Sequence, residues 1–180
     1  RLFEWLDSTA AAPALWIAAP PGAGKTTLVA TWLRRREQRQ GPTLWMQLDD
    51  GDADPATFMQ SLDALWGSLL PTPPSLPALR TDDLADLPGW LRRRLVHMLP
   101  LLPPRWTLVL DNHQELPATS PLQGALARAL ADLPAGVQWV FVSREAPPPA
   151  YTGALARQQL VVIGADGNVR IAVDAILAAR

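Results

Sequence analysis

The 180-residue chain has no cysteine and only two histidines, and its single lysine, Lys25, stands among fifteen arginines. The lack of cysteine excludes disulfides and thiolate metal sites, and two histidines argue against a histidine-rich metal site. No apolar run reaches the roughly eighteen residues that a membrane span needs, and no signal peptide is visible. The formal net charge of −1 gives the chain no overall attraction for nucleic acid or an anionic membrane. These absences favour a cytoplasmic segment that binds neither nucleic acid nor a membrane directly.

The composition that remains is that of a globular domain, with 48% hydrophobic and 18% charged residues. Two arginine triplets, Arg34–Arg36 and Arg92–Arg94, lie on helix-like segments and are interpreted as solvated faces, with partner docking as the alternative. The chain begins at Arg1 and ends inside an apolar segment, which predicts a piece cut from a longer protein. We expect one domain over residues 1–165 and the truncated start of a following helical segment over residues 166–180.

Short apolar runs alternate with helical patterns along the chain. The runs predicted as strands are 14–19, 43–48, 106–110, 137–142 and 159–163. Helices are predicted over residues 2–7, 26–39, 55–70, 82–100 and 121–133. Because the strands are apolar on both faces, we expect a parallel sheet with helices on both sides, an α/β fold of three layers.

The stretch AAPPGAGKTTL, residues 18–28, has the form of a phosphate-binding loop between a strand and a helix. Gly22 and Gly24 let successive backbone amides face one anion, Lys25 can reach the β- and γ-phosphates, and the Thr26 hydroxyl can ligate Mg²⁺. Ala19 replaces the first glycine of the usual pattern, at the end of the strand, where a small residue suffices. The alternative is a glycine-rich turn, which needs no lysine. The predicted nucleotide-binding residues are Pro21, Gly22, Ala23, Gly24, Lys25, Thr26 and Thr27.

A second motif follows the third predicted strand, which ends in Asp111. A carboxylate at this place is typical of P-loop enzymes, which use it to hold Mg²⁺ through water. The next position carries a second acid in many hydrolytic members, and here it is Asn112, whose amide is a poor proton acceptor. Glu115 is an alternative base if the turn brings it inward, and otherwise a solvated loop residue. His113 is interpreted as a loop residue beside the site.

A third motif, Ser143 and Arg144, follows the fourth predicted strand. The arginine can contact the γ-phosphate as a sensor, or it can pair with Glu145 on the surface. The predicted catalytic residues are Lys25, Asp111, Glu115 and Arg144, and the predicted metal ligands are Thr26 and Asp111. The spacing of the three motifs fits P-loop NTPases with an added central strand, for which the expected order is 5-1-4-3-2 with the loop on strand 1.

Four segments together resemble the nucleotide-binding domain of the STAND ATPases, and within it the maltose-regulator-like (MalT-type) branch of LuxR-family bacterial transcriptional regulators. They are APPGAGKTTLVATWL, LWMQLDDGDADPATFMQSLDALW, LVLDNHQEL and VQWVFVSREAPPPAYTGALARQQLVVIGADG. The resemblance implies a signalling switch in which ADP holds the resting form and ATP with an inducer supports an active, self-associated form. It also implies winged-helix, sensor and often DNA-binding domains further along the same protein. Asn112 departs from the family's usual pair of acids, which implies slow hydrolysis.

The sequence therefore predicts a regulatory switch domain that binds ATP or ADP with Mg²⁺ and hydrolyses ATP slowly. One alternative is a small-molecule kinase of the P-loop class, which would need an acceptor pocket and an arginine-rich lid. Another is an interaction module that binds nucleotide without turnover. Asn112 supports this last reading, and Lys25 with Thr26 argues against it.

Overall fold

Strands and helices alternate along the computed structural model, which describes residues 2–9, 11–164 and 169–170. The strands are β1 (Ala14–Ala18), β2 (Thr43–Gln47), β3 (Trp106–Asp111), β4 (Val137–Ser143), β5 (Leu160–Ile163) and β6 (Val169–Arg170). The helices are α1 (Leu2–Ser8), α2 (Lys25–Gln40), α3 (Pro55–Gly67), α4 (Leu87–Met98), α5 (Pro121–Ala129) and α6 (Thr152–Ala156). No helix in the described part of the chain is long and apolar enough to cross a membrane.

One sheet contains all six strands, in the order β2-β3-β4-β1-β5-β6. Strands β1 to β5 are parallel, so the expected five-stranded order is confirmed, read here from the opposite edge. The sixth strand was not predicted; it pairs with β5 in the antiparallel sense, with Val162 opposite Arg170. Apart from β6, the helical segment expected over residues 166–180 lies outside the described residues.

Alternate residues of each strand enter two separate cores, one on each face of the sheet. In β1, Leu15 and Ile17 join the core shared with α1 and α2. Ala14 and Trp16 join the larger core, which α3, α4, α5 and α6 cover. Right-handed crossovers explain this division: the connection from β1 to β2 runs one way across the sheet, and the later connections run back. The three-layer architecture is therefore confirmed.

Local sequence sets where the helices begin. The Asp54 side chain accepts a hydrogen bond from the Thr57 N–H and is followed by Pro55 in the first turn of α3. Asp86 caps α4 in the same way through the Gly89 N–H at 3.0 Å. Residues 82–100, predicted as helical with an interruption at Pro88 and Gly89 as an alternative, are for that reason a 3₁₀ segment over Thr81–Asp86 followed by α4.

The arginine triplet on α4 is not uniformly solvated. Arg94 is 6% exposed, forms an ion pair with Asp63, donates to the Pro77 carbonyl at 2.7 Å and lies over the Trp90 ring. Arg92 and Arg93 have side chains that are about two-thirds exposed. The interpretation of this triplet as a solvated face is therefore correct for two residues and wrong for Arg94, which fastens the proline-rich segment 71–80 to α3 and α4.

Candidate functional site

The three sequence motifs meet at one edge of the sheet. Strands β3, β4 and β1 are neighbours, and in parallel strands the carboxyl ends lie on the same side. Ala18, at the end of β1, is paired with Ser143, at the end of β4. Asp111 ends β3 beside them. The loop after β1, the turn after β3 and the Arg144 segment after β4 therefore surround one location.

The backbone of the loop after β1 has a shape that only glycine adopts readily at two positions. Gly22 and Gly24 both have φ of +76°, a conformation that disfavours other residues. A Cβ atom at either position would meet no atom within 4 Å, so the requirement comes from the backbone and not from crowding. The first amides of α2 have no partners within the helix, and such amides can bind an anion at a helix N-terminus.

Lys25 folds across this loop. Its Nζ atom donates to the carbonyl oxygens of Ala19 at 2.6 Å and Pro20 at 3.0 Å. Its pKa is lowered from the usual value by partial burial and then by the nearby Arg144 charge, while Asp111 acts in the opposite sense. Ala19 takes part through its backbone carbonyl, which explains why alanine can replace the usual glycine at the first position of the loop.

The Thr26 hydroxyl donates a hydrogen bond to Oδ2 of Asp111 at 2.9 Å and so joins the loop to β3. Asp111 is 4% exposed, and its other carboxylate oxygen accepts from the Asn112 N–H at 2.9 Å. The Asp111 carbonyl accepts from the Leu48 N–H at 2.9 Å, which fixes the end of β3 against β2. A hydroxyl and a carboxylate are thus held side by side at the start of α2, and both are ligands that Mg²⁺ accepts.

Asn112 makes the chain turn sharply after Asp111. Its φ of 59° and ψ of 39° lie in the left-handed region, which asparagine tolerates better than most residues. The Glu115 N–H donates to the Asn112 carbonyl at 2.9 Å, closing a turn over His113–Glu115. Glu115 is half-buried, and it lines an open cleft of about 670 Å³ at the ends of β2 and β3. The residues around this cleft are Gln47, Leu48, Asp49, Asp50, Asn112 and Glu115.

His113 points into the core rather than towards the site, so its interpretation as a loop residue beside the site is wrong. It is 1% exposed and packs edge-on against Trp16, with 4.7 Å between ring centroids. Its Nε2 lies 2.8 Å from Oε1 of Gln123, whose amide nitrogen donates to the Leu116 carbonyl. The Gln123 oxygen is therefore the acceptor and Nε2 carries the proton. Burial lowers the pKa of His113 to about 4 and keeps it neutral.

Arg144 has an exposed side chain and a fixed backbone. Its N–H donates to Oε1 of Gln114 at 3.0 Å. The following residue is held twice: the Glu145 N–H donates to Ser143 Oγ at 3.2 Å, and its carbonyl accepts from the Trp16 indole at 2.8 Å. Within the described ranges no ion pair joins Arg144 to Glu145. The guanidinium is thus available on the side of the sheet where the loop lies.

The fold is shared with chains in solved structures of ORC and Cdc6 proteins. In the structure of Drosophila ORC bound to AT-rich DNA and Cdc6, the matching chain has a TM-score of 0.56 and 15% identity, over 90% of this chain and 51% of that one. The Aeropyrum pernix ORC1 protein in complex with DNA matches with a TM-score of 0.58 and 19% identity, over 91% of this chain and 44% of that one. Cdc6p from Pyrobaculum aerophilum matches with a TM-score of 0.52 and 18% identity, over 84% of this chain and 38% of that one.

This chain thus spans about half of the Drosophila chain and less of the two archaeal ones. No curated protein matches it at a significant level. The sheet order and the loop geometry together make it a P-loop NTPase-like domain. The sequence profile described as Nephrocystin 3, N-terminal, matches residues 1–144, which is most of the sequence. The chain belongs to the Nephrocystin 3, N-terminal family.

Proposed function

We propose that the chain binds ATP or ADP together with Mg²⁺ at the loop of residues 19–27, and that it is the regulatory switch domain of a larger signalling protein. The observation that carries this proposal is the 2.9 Å contact between Thr26 Oγ1 and Asp111 Oδ2, beside the only lysine of the chain. A glycine-rich turn with a purely structural role has no need of this threonine, aspartate and lysine together.

Each residue of the loop has a task in this proposal. The backbone amides of residues 22–27, which follow Pro21, bind phosphate oxygens. The Lys25 ammonium exchanges its two carbonyl contacts for the β- and γ-phosphates. Thr26 and Asp111 would hold Mg²⁺ through the hydroxyl and carboxylate oxygens. Bound Mg²⁺ would withdraw negative charge from the β- and γ-phosphates.

Turnover in this proposal is slow. Asn112 occupies the position after Asp111, and an amide does not accept a proton near neutral pH. Glu115 is the remaining carboxylate on the same turn, and we assign to it the activation of water. Arg144 reads the presence of the γ-phosphate through its exposed guanidinium. Slow hydrolysis suits a switch, whose output is a state of the protein.

The wider role that we propose is that of the STAND class, and within it the MalT-type branch. The four resembling segments support this assignment. It places winged-helix, sensor and DNA-binding domains on the same polypeptide, with self-association in the ATP form and a cytoplasmic location. Two of the similar chains, those from Drosophila and Aeropyrum pernix, belong to proteins solved with DNA. Because this segment has a net charge of −1, we propose that it makes no direct contact with nucleic acid itself.

A binding module without turnover is the second candidate, and the observation that favours it is Asn112. The kinase alternative is weakened by the arrangement of α4. Arg92, Arg93 and Arg94 each form an ion pair with an aspartate of the chain, respectively Asp132, Asp86 and Asp63. Arg94 is buried by its pair and is not available for a lid over phosphates.

The test is Mg²⁺-dependent binding and single-turnover hydrolysis of ATP by the parent, Thr26→Ala and Asp111→Ala. We expect the parent to bind ATP more tightly with Mg²⁺ than with EDTA, and both variants to lose about tenfold or more of that Mg²⁺-dependent gain. Thr31→Ala, on the same helix, is the matched control and should behave as the parent. A parent that binds neither ATP nor ADP would contradict the proposal, and binding with no turnover would favour the second candidate.

A further inference from the structure

One side-chain amide joins the turn after β3 to the segment after β4. The Gln114 Oε1 accepts from the backbone N–H of Arg144 at 3.0 Å. The Nε2 of the same side chain donates to Oε1 of Glu115 at 3.2 Å. Gln114 is half-buried, and both of its polar ends are engaged by residues to which separate tasks are assigned above. A glutamine is suited to this place because it carries an acceptor and a donor on one rigid plane.

The residues next to Gln114 and next to Arg144 are held in place by contacts of their own. On its own turn, His113 is anchored in the core through Gln123, and the Glu115 N–H is held by the Asn112 carbonyl. On the other side, Glu145 is tied to Trp16 and to Ser143, so the backbone that presents Arg144 is also fixed. The amide of Gln114 therefore bridges two anchored segments and fixes their relative position.

We propose that Gln114 is a positioning residue that couples the contact of Arg144 with the γ-phosphate to the orientation of the Glu115 carboxylate. This inference rests on the proposed function, in which Arg144 senses ATP and Glu115 activates water. Oε1 of Gln114 holds the Arg144 N–H while its NH₂ group holds Glu115, so the position from which the guanidinium reaches a γ-phosphate is tied to the orientation of the Glu115 carboxylate. Because only ATP has a γ-phosphate, the Arg144 contact reinforces this arrangement with ATP and not with ADP, and catalysis then depends on correct nucleotide sensing.

Two substitutions separate the two ends of the bridge. Gln114→Met has nearly the same length and loses both hydrogen bonds. Gln114→Glu keeps an acceptor for the Arg144 N–H and has no donor for Glu115. Gln159→Met is the matched control, because Gln159 is also half-buried and accepts from Arg157 Nε at 3.1 Å. Gln159 directly precedes β5, so it lies at the amino ends of the parallel strands, whereas the loop lies at their carboxyl ends.

The measurements are the affinities for Mg²⁺·ADP and a non-hydrolysable Mg²⁺·ATP analogue, the single-turnover rate, and hydrogen exchange at the Arg144 amide without nucleotide. In Gln114→Met we expect nearly unchanged ADP affinity, a preference for the analogue over ADP reduced about fivefold, and a rate reduced about tenfold. The Arg144 amide should exchange faster in Gln114→Met and at about the parent rate in Gln114→Glu, whose single-turnover rate should fall as well. Gln159→Met should match the parent throughout.

The inference is overturned if Gln114→Met lowers the affinity for both nucleotides equally, or if its Arg144 amide exchanges as in the parent. If the parent hydrolyses no ATP, the nucleotide preference and the exchange rate still decide the matter, since neither depends on turnover. A parent that binds no nucleotide contradicts the proposed function instead. The failure of one proposal is therefore distinguishable from the failure of the other.

Discussion

The Lys25 ammonium and the Ala19 carbonyl oxygen, 2.6 Å apart, close the glycine-rich loop after β1 on itself. A ligand phosphate would replace this contact with a stronger, charge-assisted one. We therefore expect Lys25→Ala to weaken the binding of ATP and of ADP alike by about tenfold or more, because the β-phosphate is common to both. Isothermal titration calorimetry of the two nucleotides is the measurement.

The matched control for Lys25 is Arg34→Ala. Arg34 is an exposed cation on the same helix, so its removal changes the net charge equally without touching the loop. Equal losses of affinity in the two variants would mean that Lys25 acts only through long-range charge.

Arg144→Ala should weaken ATP more than ADP, because only ATP has the γ-phosphate that the guanidinium is proposed to contact. The loss of one charge-assisted hydrogen bond predicts a change of about tenfold or more in the ratio of the two affinities. Competition binding in the presence of Mg²⁺ gives this ratio directly. Arg128→Ala, which removes an exposed arginine from α5, should leave the ratio unchanged. A loss that is the same for ATP and ADP would make Arg144 a structural residue.

His113 makes the stability of the fold sensitive to mild acid. Its pKa is about 4 in the folded chain and 6.5 as the ordinary value, so below pH 6.5 the unfolded chain binds a proton that the folded chain excludes. The free energy of unfolding should then fall by about 2 kcal/mol from this group between pH 7 and pH 5. The loss should level off as the pH approaches 4, where the folded form is also protonated.

Urea unfolding at pH 7 and pH 5 tests this expectation. His113→Gln should show less loss of stability on acidification than the parent, by about the amount given above, whatever its stability at pH 7. His97→Gln, which replaces an exposed histidine of α4, should retain the pH dependence of the parent. An unchanged pH dependence in His113→Gln would show that other groups cause the acid sensitivity.

The ion pair between Arg94 and Asp63 should matter for stability far more than its neighbours do. Arg94→Met leaves the Asp63 carboxylate, which is 23% exposed, without its partner and the Pro77 carbonyl without its donor. We expect a loss of about 3–5 kcal/mol in the free energy of unfolding. Arg92→Met removes an ion pair whose arginine is 67% exposed, and should cost less than about 1 kcal/mol. Similar losses from the two substitutions would contradict the assignment of Arg94 to the core.

The sequence predicted the five parallel strands because each is a short apolar run between prolines, glycines or polar turns. The bounds agree within one residue, as for β1 at Ala14–Ala18 against 14–19. The two-residue strand β6 has no such run, and it is recognised only by its antiparallel pairing with β5. The sequence did not locate the start of α4 after Asp86, because the residues before Asp86 also have a helical composition.

Side-chain partners were less accessible to sequence reasoning than strand ends were. Arg94 shares the buried stripe of α4 with Leu87, Leu91 and Leu95, so its helical spacing could have shown that it differs from Arg92 and Arg93. His113 gave no comparable signal, because a 3₁₀ turn of three residues has no periodicity to show which side chain is buried. Gln114 gave none either, since Arg144, whose N–H it binds, comes from a different part of the chain.

The position of the only lysine has a practical consequence. Reagents that acylate side-chain amines have a single target on this chain, and that target closes the glycine-rich loop after β1. Its lowered pKa leaves more of the amine unprotonated, and therefore nucleophilic, than in an ordinary lysine. A fluorophore or crosslinker attached through this chemistry will report from one known atom, Nζ of Lys25, and bound nucleotide should shield that atom from the reagent.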